Sequence, residues 1–284
     1  MANKIAFINS KGGCGKTTSI FHVSGVLSKL GKKILVIDLD KQKNTTSTLM
    51  MNVDGAAGVG SGSGQFPHKS VYDFLLGTAD ADEVTGQALF QRRGNAKPKY
   101  YGVDCMVSDI RLENEVALKK VNAPAIGAEL SEFIHQEKYD WVLVDMPPSN
   151  ATLNQICFSH IVDFVVIPFS SDMFSLDGYE NIAETIKAAR GVNANLRSLG
   201  VYLSRYMNNC ALDRYIKSEL SERLFDRNLN KNDFIDVQIP IASDIREAVF
   251  YGRPISYYRE GSNSCQAYER LVHELVTRMK TSSR

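Results

Sequence analysis

Short apolar runs alternate with longer segments of helical periodicity along most of the chain. The runs are rich in Val, Ile and Leu, and they cover residues 5–8 (IAFI), 33–38 (KILVID), 141–145 (WVLVD), 164–168 (FVVIP) and 199–203 (LGVYL). Near-continuous apolar runs are typical of parallel strands that helices cover on both faces. The alternation therefore predicts a doubly wound α/β fold with a mostly parallel sheet, with ligands bound at the carboxyl ends of the strands.

The remaining pattern predicts two loops and two helices. Residues 54–64 (DGAAGVGSGSG) and 91–99 are rich in glycine or basic residues, which predicts exposed loops, and residues 70–76 predict a short helix. Residues 265–280 predict a final helix whose apolar side chains form one stripe: Tyr268, Leu271, Val272, Leu275, Val276 and Met279. Such a stripe packs on a sheet or inserts into a membrane. The mixed charges of the polar face favour packing on the sheet.

The run KGGCGKTT, Lys11–Thr18, lies between the first strand and a helical segment. Glycines in such a turn let backbone N–H groups surround an anion, and the N-terminus of the following helix adds a positive dipole end. In a phosphate-binding loop of this kind, Lys16 reaches the terminal phosphates and the Thr17 hydroxyl binds Mg²⁺. The motif predicts a nucleotide site formed by Gly12, Gly13, Cys14, Gly15, Lys16, Thr17 and Thr18.

Three aspartates close apolar strands, where they can face this loop. Asp38 and Asp40 end the second run, and Asp145 ends the third. An aspartate at this place can orient or deprotonate an attacking water, and a strand-terminal aspartate can hold Mg²⁺ through water. The order of these motifs predicts phosphoryl-transfer chemistry.

The loop has an additional lysine, Lys11, and Ser10 where the general pattern has glycine. With these features it resembles the deviant P-loop of the ParA/MinD family of ATPases. The resemblance implies that Lys11 reaches the phosphates bound by the partner subunit. It also implies that Asp40 activates water, with Asp38 as the second candidate for that role or as a support of Mg²⁺. Lys41 and Lys43 depart from the Pro and Gly that are usual in this segment, which puts the mobility of the loop in question.

Later segments extend the resemblance to about four-fifths of the chain. Residues 145–148 (DMPP) resemble the switch II segment, and residues 203–209 (LSRYMNN) resemble the segment near the adenine, with Arg205 and Asn208 as candidate base contacts. Residues 239–255 (IPIASDIREAVFYGRPI) resemble a further stretch of the family, and Pro240 is a candidate nucleotide contact. The chain is thus expected to be a single domain, residues 1–284, of the short ParA type without an N-terminal helix-turn-helix.

Charge and composition add one candidate surface. The net charge is only +1, but residues 1–186 hold 17 Lys and Arg against 21 Asp and Glu, whereas residues 187–284 hold 16 against 11. A basic C-terminal third favours contact with phosphate backbones. The candidate DNA contacts are Arg214, Lys217, Arg223, Arg227, Arg253 and Arg259. The five cysteines have no CxxC spacing, and no signal peptide or membrane-spanning run is evident, so we expect a cytoplasmic, nucleoid-associated protein.

Three functions are compatible with these motifs. The leading hypothesis is a ParA-like ATPase that uses ATP and Mg²⁺, forms a homodimer with ATP and binds DNA without sequence preference. A ParB-like or other cargo adaptor protein would stimulate its hydrolysis. The second is a MinD-like membrane-associated switch. The third is an iron–sulfur reductase component with Cys105 and Cys157 as ligands, although both cysteines lie in apolar contexts that favour a buried role.

Overall fold

The computed structural model describes residues 2–52, 66–91, 97–170, 176–226 and 233–282. Its centre is one eight-stranded sheet in the order β3-β4-β2-β5-β1-β6-β7-β8, in which only the β3–β4 pair is antiparallel. The strands are β1 (Asn3–Phe7), β2 (Ile34–Asp38), β3 (Thr85–Phe90), β4 (Lys99–Met106), β5 (Trp141–Asp145), β6 (Phe164–Phe169), β7 (Arg197–Tyr206) and β8 (Phe234–Pro240). The predicted fold class is confirmed, and the five apolar runs coincide with β1, β2, β5, β6 and β7.

Helices cover both faces of the sheet. The first face carries α1 (Lys16–Lys29), α2 (Asn44–Leu49), α9 (Ser243–Phe250), α10 (Ile255–Tyr258) and α11 (Asn263–Ser282). The second carries α3 (Val71–Leu75), α4 (Glu115–Leu118), α5 (Ala123–Gln136), α6 (Ala151–His160), α7 (Leu176–Ala189) and α8 (Ala211–Asp226). Two short 3-10 turns, Asp82–Val84 and Ile110–Glu113, complete the described elements. Each face therefore has its own buried apolar cluster.

The predicted short helix and the predicted final helix are both present. The first is α3, which Ser70 begins with a capping box to Asp73. The apolar stripe of the second, α11, is buried against β7, β8 and α1, with only Val276 partly covered. This agrees with packing on the sheet rather than insertion into a membrane. No helix among the described residues is long and apolar enough to cross a bilayer.

Strand register brings the motif-bearing ends together. β5 lies between β1 and β2, with Asp145 opposite Phe7 on one side and opposite Asp38 on the other. The P-loop follows Phe7 after a short connection, so the loop and both strand-terminal aspartates meet at one edge of the sheet. The predicted loop 54–64 lies outside the described residues, as do residues 92–96 of the predicted loop 91–99, whose last residue, Lys99, is the first residue of β4.

Candidate nucleotide and magnesium site

The loop between β1 and α1 has the backbone shape that its glycines predict. Gly13 and Gly15 have φ angles of 78° and 88°, in the left-handed region that glycine adopts most readily. Asn9 fixes the start of the loop, since its Oδ1 accepts from Lys11 N at 3.0 Å and its Nδ2 donates to Pro168 O at 2.7 Å. Helix α1 begins at Lys16, so its first N–H groups face the space above the loop.

The two lysines of the loop have different surroundings. Lys16 is buried, and its Nζ donates to Asn9 O at 3.4 Å and to Lys11 O at 3.3 Å, so that the ammonium lies across the loop. Lys11 is exposed, and its side chain has no ion pair among the described residues of its own chain. The loop therefore presents one cation inward and one outward.

Asp145 lies fully buried beneath the loop. Its Oδ2 accepts from Thr17 Oγ1 at 2.7 Å and from Thr45 Oγ1 at 2.5 Å, while its Oδ1 has no partner among the described residues. Burial raises the pKa of this carboxyl above its ordinary value. A buried acidic oxygen beside a threonine hydroxyl is the hard donor set that Mg²⁺ prefers, and a cation there would offset the cost of burying the charge.

Asp38 is also fully buried, but its oxygens are already used. Its Oδ2 accepts from both N and Oγ1 of Thr46 at 2.8 Å, and its Oδ1 accepts from Asp40 N at 3.1 Å. Burial, and then the neighbouring Asp145 carboxylate, raise the pKa of Asp38. Asp40 is half-buried and lines the open cleft above the loop. Of the two candidates for water activation, only Asp40 thus faces the cleft.

The cleft has a volume of about 720 Å³ and extends from the loop to the end of β8. Its far end is apolar, with Ile239, Pro240, Ile241, Ala242 and Ile245. Arg205 also lines the cleft, in the left-handed region with φ 55°, and its Nη1 donates to Gly13 O at 3.3 Å. The arrangement provides an apolar surface for a flat base at one end and a phosphate loop at the other.

Two of the predicted contacts lie elsewhere. Asn208 is exposed and is not among the cleft-lining residues, and its carbonyl accepts from Arg214 Nη1 at 2.9 Å. The side chain of Cys14 is buried below the loop, where burial raises its pKa, and the Cys14 carbonyl accepts from Ser204 Oγ. Only the backbone of Cys14 is thus available to a phosphate.

Sequence reasoning missed two residues that belong to the site. Thr45 shares Asp145 Oδ2 with Thr17, and Ser204 fastens the carbonyl of Cys14 from β7. A signal for Thr45 was present, because two threonines follow the acidic segment of residues 38–40 within a few positions. Ser204 lies in residues 203–209, which resemble the segment near the adenine, but no sequence signal indicated its contact with the loop, since that contact depends on how β6 and β7 pair beside β1.

The basic residues do not form one patch within a subunit. Arg214, Lys217 and Arg223 belong to α8 on the second face, whereas Arg253 and Arg259 flank α10 on the first. Within one chain these residues thus belong to helices on opposite faces of the sheet, Arg227 lies outside the described part of the chain, and contact of any of them with DNA stays a prediction. Some are also engaged: Lys217 Nζ contacts Asp236 Oδ1 at 2.9 Å, and Arg253 Nη2 donates to Gln91 Oε1.

The two candidate cluster ligands, Cys105 and Cys157, are fully buried on opposite faces of the sheet. Their positions agree with the interpretation of both as small core hydrophobes. Among the described residues there is no group of three or more His, Cys, Asp or Glu side chains arranged to hold a metal ion.

Comparison with known proteins gives concordant matches. A family model described as an AAA domain matches residues 2–198. The chromosome-partitioning ATPase Soj of Thermus thermophilus is 29% identical over 283 residues, which cover 98% of this chain and 96% of that protein. The chromosome partitioning protein ParA of Caulobacter vibrioides is 27% identical over 278 residues, which cover 96% of this chain and 94% of that protein.

Solved structures share the fold along almost the whole chain. Cobyrinic acid a,c-diamide synthase from Mycobacterium smegmatis, with a bound ATP analogue and magnesium, has a TM-score of 0.76 and 20% identity, covering 99% of this chain and 96% of that one. The cell division ATPase MinD of Pyrococcus furiosus has a TM-score of 0.68 and 21% identity, covering 98% of this chain and 99% of that one.

Proposed function

The chain belongs to the AAA domain family and is a ParA/MinD-type P-loop ATPase, and on that premise we propose that it hydrolyses ATP to ADP and phosphate with Mg²⁺. One observation carries the proposal. The Thr17 hydroxyl and the buried Asp145 carboxylate are hydrogen-bonded beneath the loop, with no partner for Asp145 Oδ1 in the described part of the chain, and Asp40 lines the cleft above them. Named relatives that are chromosome-partitioning ATPases support the same activity.

Each residue has a role that its position suits. The loop N–H groups and Lys16 would hold the phosphates and offset their charge, as phosphoryl transfer requires. Thr17 would bind Mg²⁺ directly, and Asp145 would hold it through water. When bound, the metal would neutralise charge on the phosphates. Asp40 would orient the attacking water and accept its proton.

Release of phosphate from ATP tests the chemistry. We expect slow, Mg²⁺-dependent turnover in the wild type and none in Lys16→Ala, which loses the cation beside the phosphates. Asp40→Ala should keep nucleotide binding but lose roughly 100-fold or more in turnover, because a positioned base contributes about 10²- to 10⁴-fold. Asp163→Ala serves as the control, since Asp163 lies near the amino end of β6 and pairs with Lys4. Wild-type rates in Asp40→Ala would refute the assignment.

The exposed lysine of the loop supports a second proposal, that ATP drives formation of a homodimer. Lys11 would contact the phosphates bound by the partner, and desolvating its charge is favourable only when those phosphates are present. In light scattering, Asp40→Ala with ATP should run as a dimer, and the same protein with ADP should run as a monomer. Adding Lys11→Ala should abolish the dimer, whereas Lys120→Ala, an exposed lysine on the second face, should not. A dimer that forms equally well without Lys11 would contradict the role.

We further propose that the ATP-bound dimer binds DNA without sequence preference, as expected of a ParA-like positioning ATPase, and that it moves a plasmid, chromosome or protein compartment. The named partitioning relatives support this. Two copies of each weak basic group in a dimer would give avidity. A ParB-like or other adaptor on the cargo would stimulate hydrolysis, and turnover measured at saturating adaptor tests that part.

A gel shift with random duplex DNA tests the DNA proposal and locates the contacts. Binding should require ATP and should weaken steeply with salt. The double changes Arg214→Glu with Lys217→Glu and Arg253→Glu with Arg259→Glu separate the two faces, and each lost phosphate contact should reduce the salt slope by about one. If the ATP-bound protein does not bind DNA at low salt but sediments with anionic liposomes, the result would favour a MinD-like membrane switch instead.

A further inference from the structure

The segment between β2 and α2 carries Asp40 and is fastened at both ends. At its start, Asp40 N donates to Asp38 Oδ1 at 3.1 Å. At its end, Thr46 donates N and Oγ1 to Asp38 Oδ2 at 2.8 Å. Within it, Asp40 Oδ1 accepts from Gln42 N at 3.0 Å, which orients the carboxylate. The two ends of the loop therefore share one buried carboxylate.

Ser108 joins the same two ends from a neighbouring strand. Strands β2 and β4 pair in parallel with Ile37 opposite Met106, so the residues after β4 lie beside those after β2. Ser108 is buried, its Oγ donates to Asp40 O at 2.7 Å, and its N donates to Thr46 Oγ1 at 2.9 Å. Ser108 thus joins the main chain of Asp40 to the side chain of Thr46. Thr46 is in turn hydrogen-bonded to Asp38.

The backbone of the loop includes one residue in a disfavoured conformation. Lys43 has φ 58°, in the left-handed region, where a side chain is disfavoured, and its N donates to Asp40 O at 2.9 Å. Strained residues persist only where the surrounding structure holds them. Asp40 O accepts from both Lys43 N and Ser108 Oγ, so the serine hydroxyl shares an acceptor with the strained turn.

An ion pair also touches the loop, but it is the weaker restraint. Lys41 Nζ contacts Glu113 Oε2 at 3.0 Å, and the two side chains are 44% and 58% exposed. Solvent-exposed pairs are screened and contribute little. The buried Ser108 bonds are not screened in this way, so Ser108 and the Asp38 carboxylate are the stronger restraints on the segment.

We propose that Ser108 is a positioning residue that holds Asp40 in place for water activation. The inference rests on the proposed ATPase function. The Ser108 hydroxyl touches neither nucleotide nor metal in this assignment. It acts through the Asp40 main chain, and reactions that depend on orientation are sensitive to small displacements.

Hydrogen–deuterium exchange of the nucleotide-free protein tests the tether without any turnover. Ser108→Ala should increase exchange of the 39–46 amides by about tenfold, because local opening controls the exchange of amides. Ser24→Ala is the matched control: Ser24 is also buried and donates its Oγ to a carbonyl, Phe21 O, at 2.9 Å within α1. It should leave the exchange of 39–46 unchanged.

Steady-state kinetics tests the positioning role. Ser108→Ala should lower kcat by about tenfold, while the affinity for a fluorescent non-hydrolysable ATP analogue with Mg²⁺ stays within twofold of the wild type. Ser108→Thr, which retains the hydroxyl, should recover most of kcat. Ser24→Ala should match the wild type in both measurements.

The outcomes separate this inference from the proposed function. A wild-type protein without Mg²⁺-dependent turnover refutes both. A wild type that turns over ATP, with Ser108→Ala equal to it in kcat and in exchange of residues 39–46, overturns the positioning role alone. A loss of analogue binding in Ser108→Ala as large as the loss of kcat also overturns it, since that would indicate general damage to the site.

Discussion

Asp145 on β5 and Asp104 on β4 are buried carboxylates with the same pattern of contacts. Asp145 Oδ2 accepts from the hydroxyls of Thr17 and Thr45, and Asp104 Oδ2 accepts from those of Tyr100 at 3.0 Å and Tyr139 at 2.7 Å. In both residues Oδ1 is buried without a partner among the described groups. Burial raises the pKa of both carboxyls.

Their surroundings differ. Asp145 ends its strand beneath the phosphate loop, next to Lys16 and the open cleft. Asp104 pairs with Leu35, three residues before the carboxyl end of β2, and its two donors are the hydroxyls of tyrosine side chains. An unpaired buried oxygen therefore does not by itself identify a metal site. The position of Asp145 at the strand ends, below a helix N-terminus, is what distinguishes it.

The largest expected effect comes from replacing each carboxylate by an amide. Asp145→Asn should lower Mg²⁺-dependent turnover roughly 10- to 100-fold, as changes in groups that hold a metal through water commonly do, and should raise the Mg²⁺ concentration needed for half-maximal rate. Asp104→Asn should keep wild-type turnover and Mg²⁺ dependence. Phosphate release across a Mg²⁺ titration, with EDTA as the blank, measures both. Equal losses of turnover in the two variants would contradict a magnesium role that belongs to Asp145 and not to Asp104.

Removing one hydroxyl donor from each carboxylate should give a smaller effect. Again, we expect turnover to fall only for the change beside Asp145. Thr45→Val and Tyr139→Phe each take away one hydrogen bond to a buried acid, which costs about 1–3 kcal/mol of the free energy of unfolding. Only Thr45→Val should also lower turnover, by roughly tenfold, because the loss of about 1.5 kcal/mol from a hydrogen bond to a charged group corresponds to about a factor of ten in rate. Urea unfolding and phosphate release together check this. A turnover defect in Tyr139→Phe would place Asp104 in the reaction.

The fold and the site could be predicted from the sequence where they depend on local patterns, and not where they depend on tertiary packing. Lys16, Thr17 and Asp145 could be located because a loop motif and strand-terminal acids are local patterns, and parallel strands bring their ends together. Strand β3 was missed because Gly86 and Gln87 interrupt its apolar pattern at the sheet edge. The separation of Arg214 from Arg253 depends on which face each helix covers, and no local pattern encodes that.

Ser108 shows the same limit inside the site. Its sequence context, residues 106–110 (MVSDI), has no motif, and its contact with Asp40 follows only from the register of β4 against β2. Residues that support a site from a neighbouring strand are thus the least visible in a sequence.

The smallest expected effect concerns a third buried titratable group, His22, on α1 behind the loop. His22 is completely buried, and its Nδ1 accepts from Ile255 N at 3.0 Å. Its ring faces the titratable side chain of Tyr268, with ring centroids 4.8 Å apart. Burial lowers the pKa of His22 from 6.5 to about 3. Between these values the unfolded chain binds a proton that the folded chain does not.

The contribution of His22 to stability is therefore complete above pH 6.5 and is lost as the pH falls below it. Protonation of His22 in the unfolded chain should lower the free energy of unfolding by about 1 kcal/mol between pH 7 and pH 5.5. His22→Asn, which keeps a hydrogen-bond acceptor but does not titrate, should remove that part of the pH dependence, whereas His273→Asn at an exposed position of α11 should not. Urea unfolding at the two pH values measures the difference. If His22→Asn loses as much stability as the wild type over this interval, the buried imidazole is not the group that responds to pH.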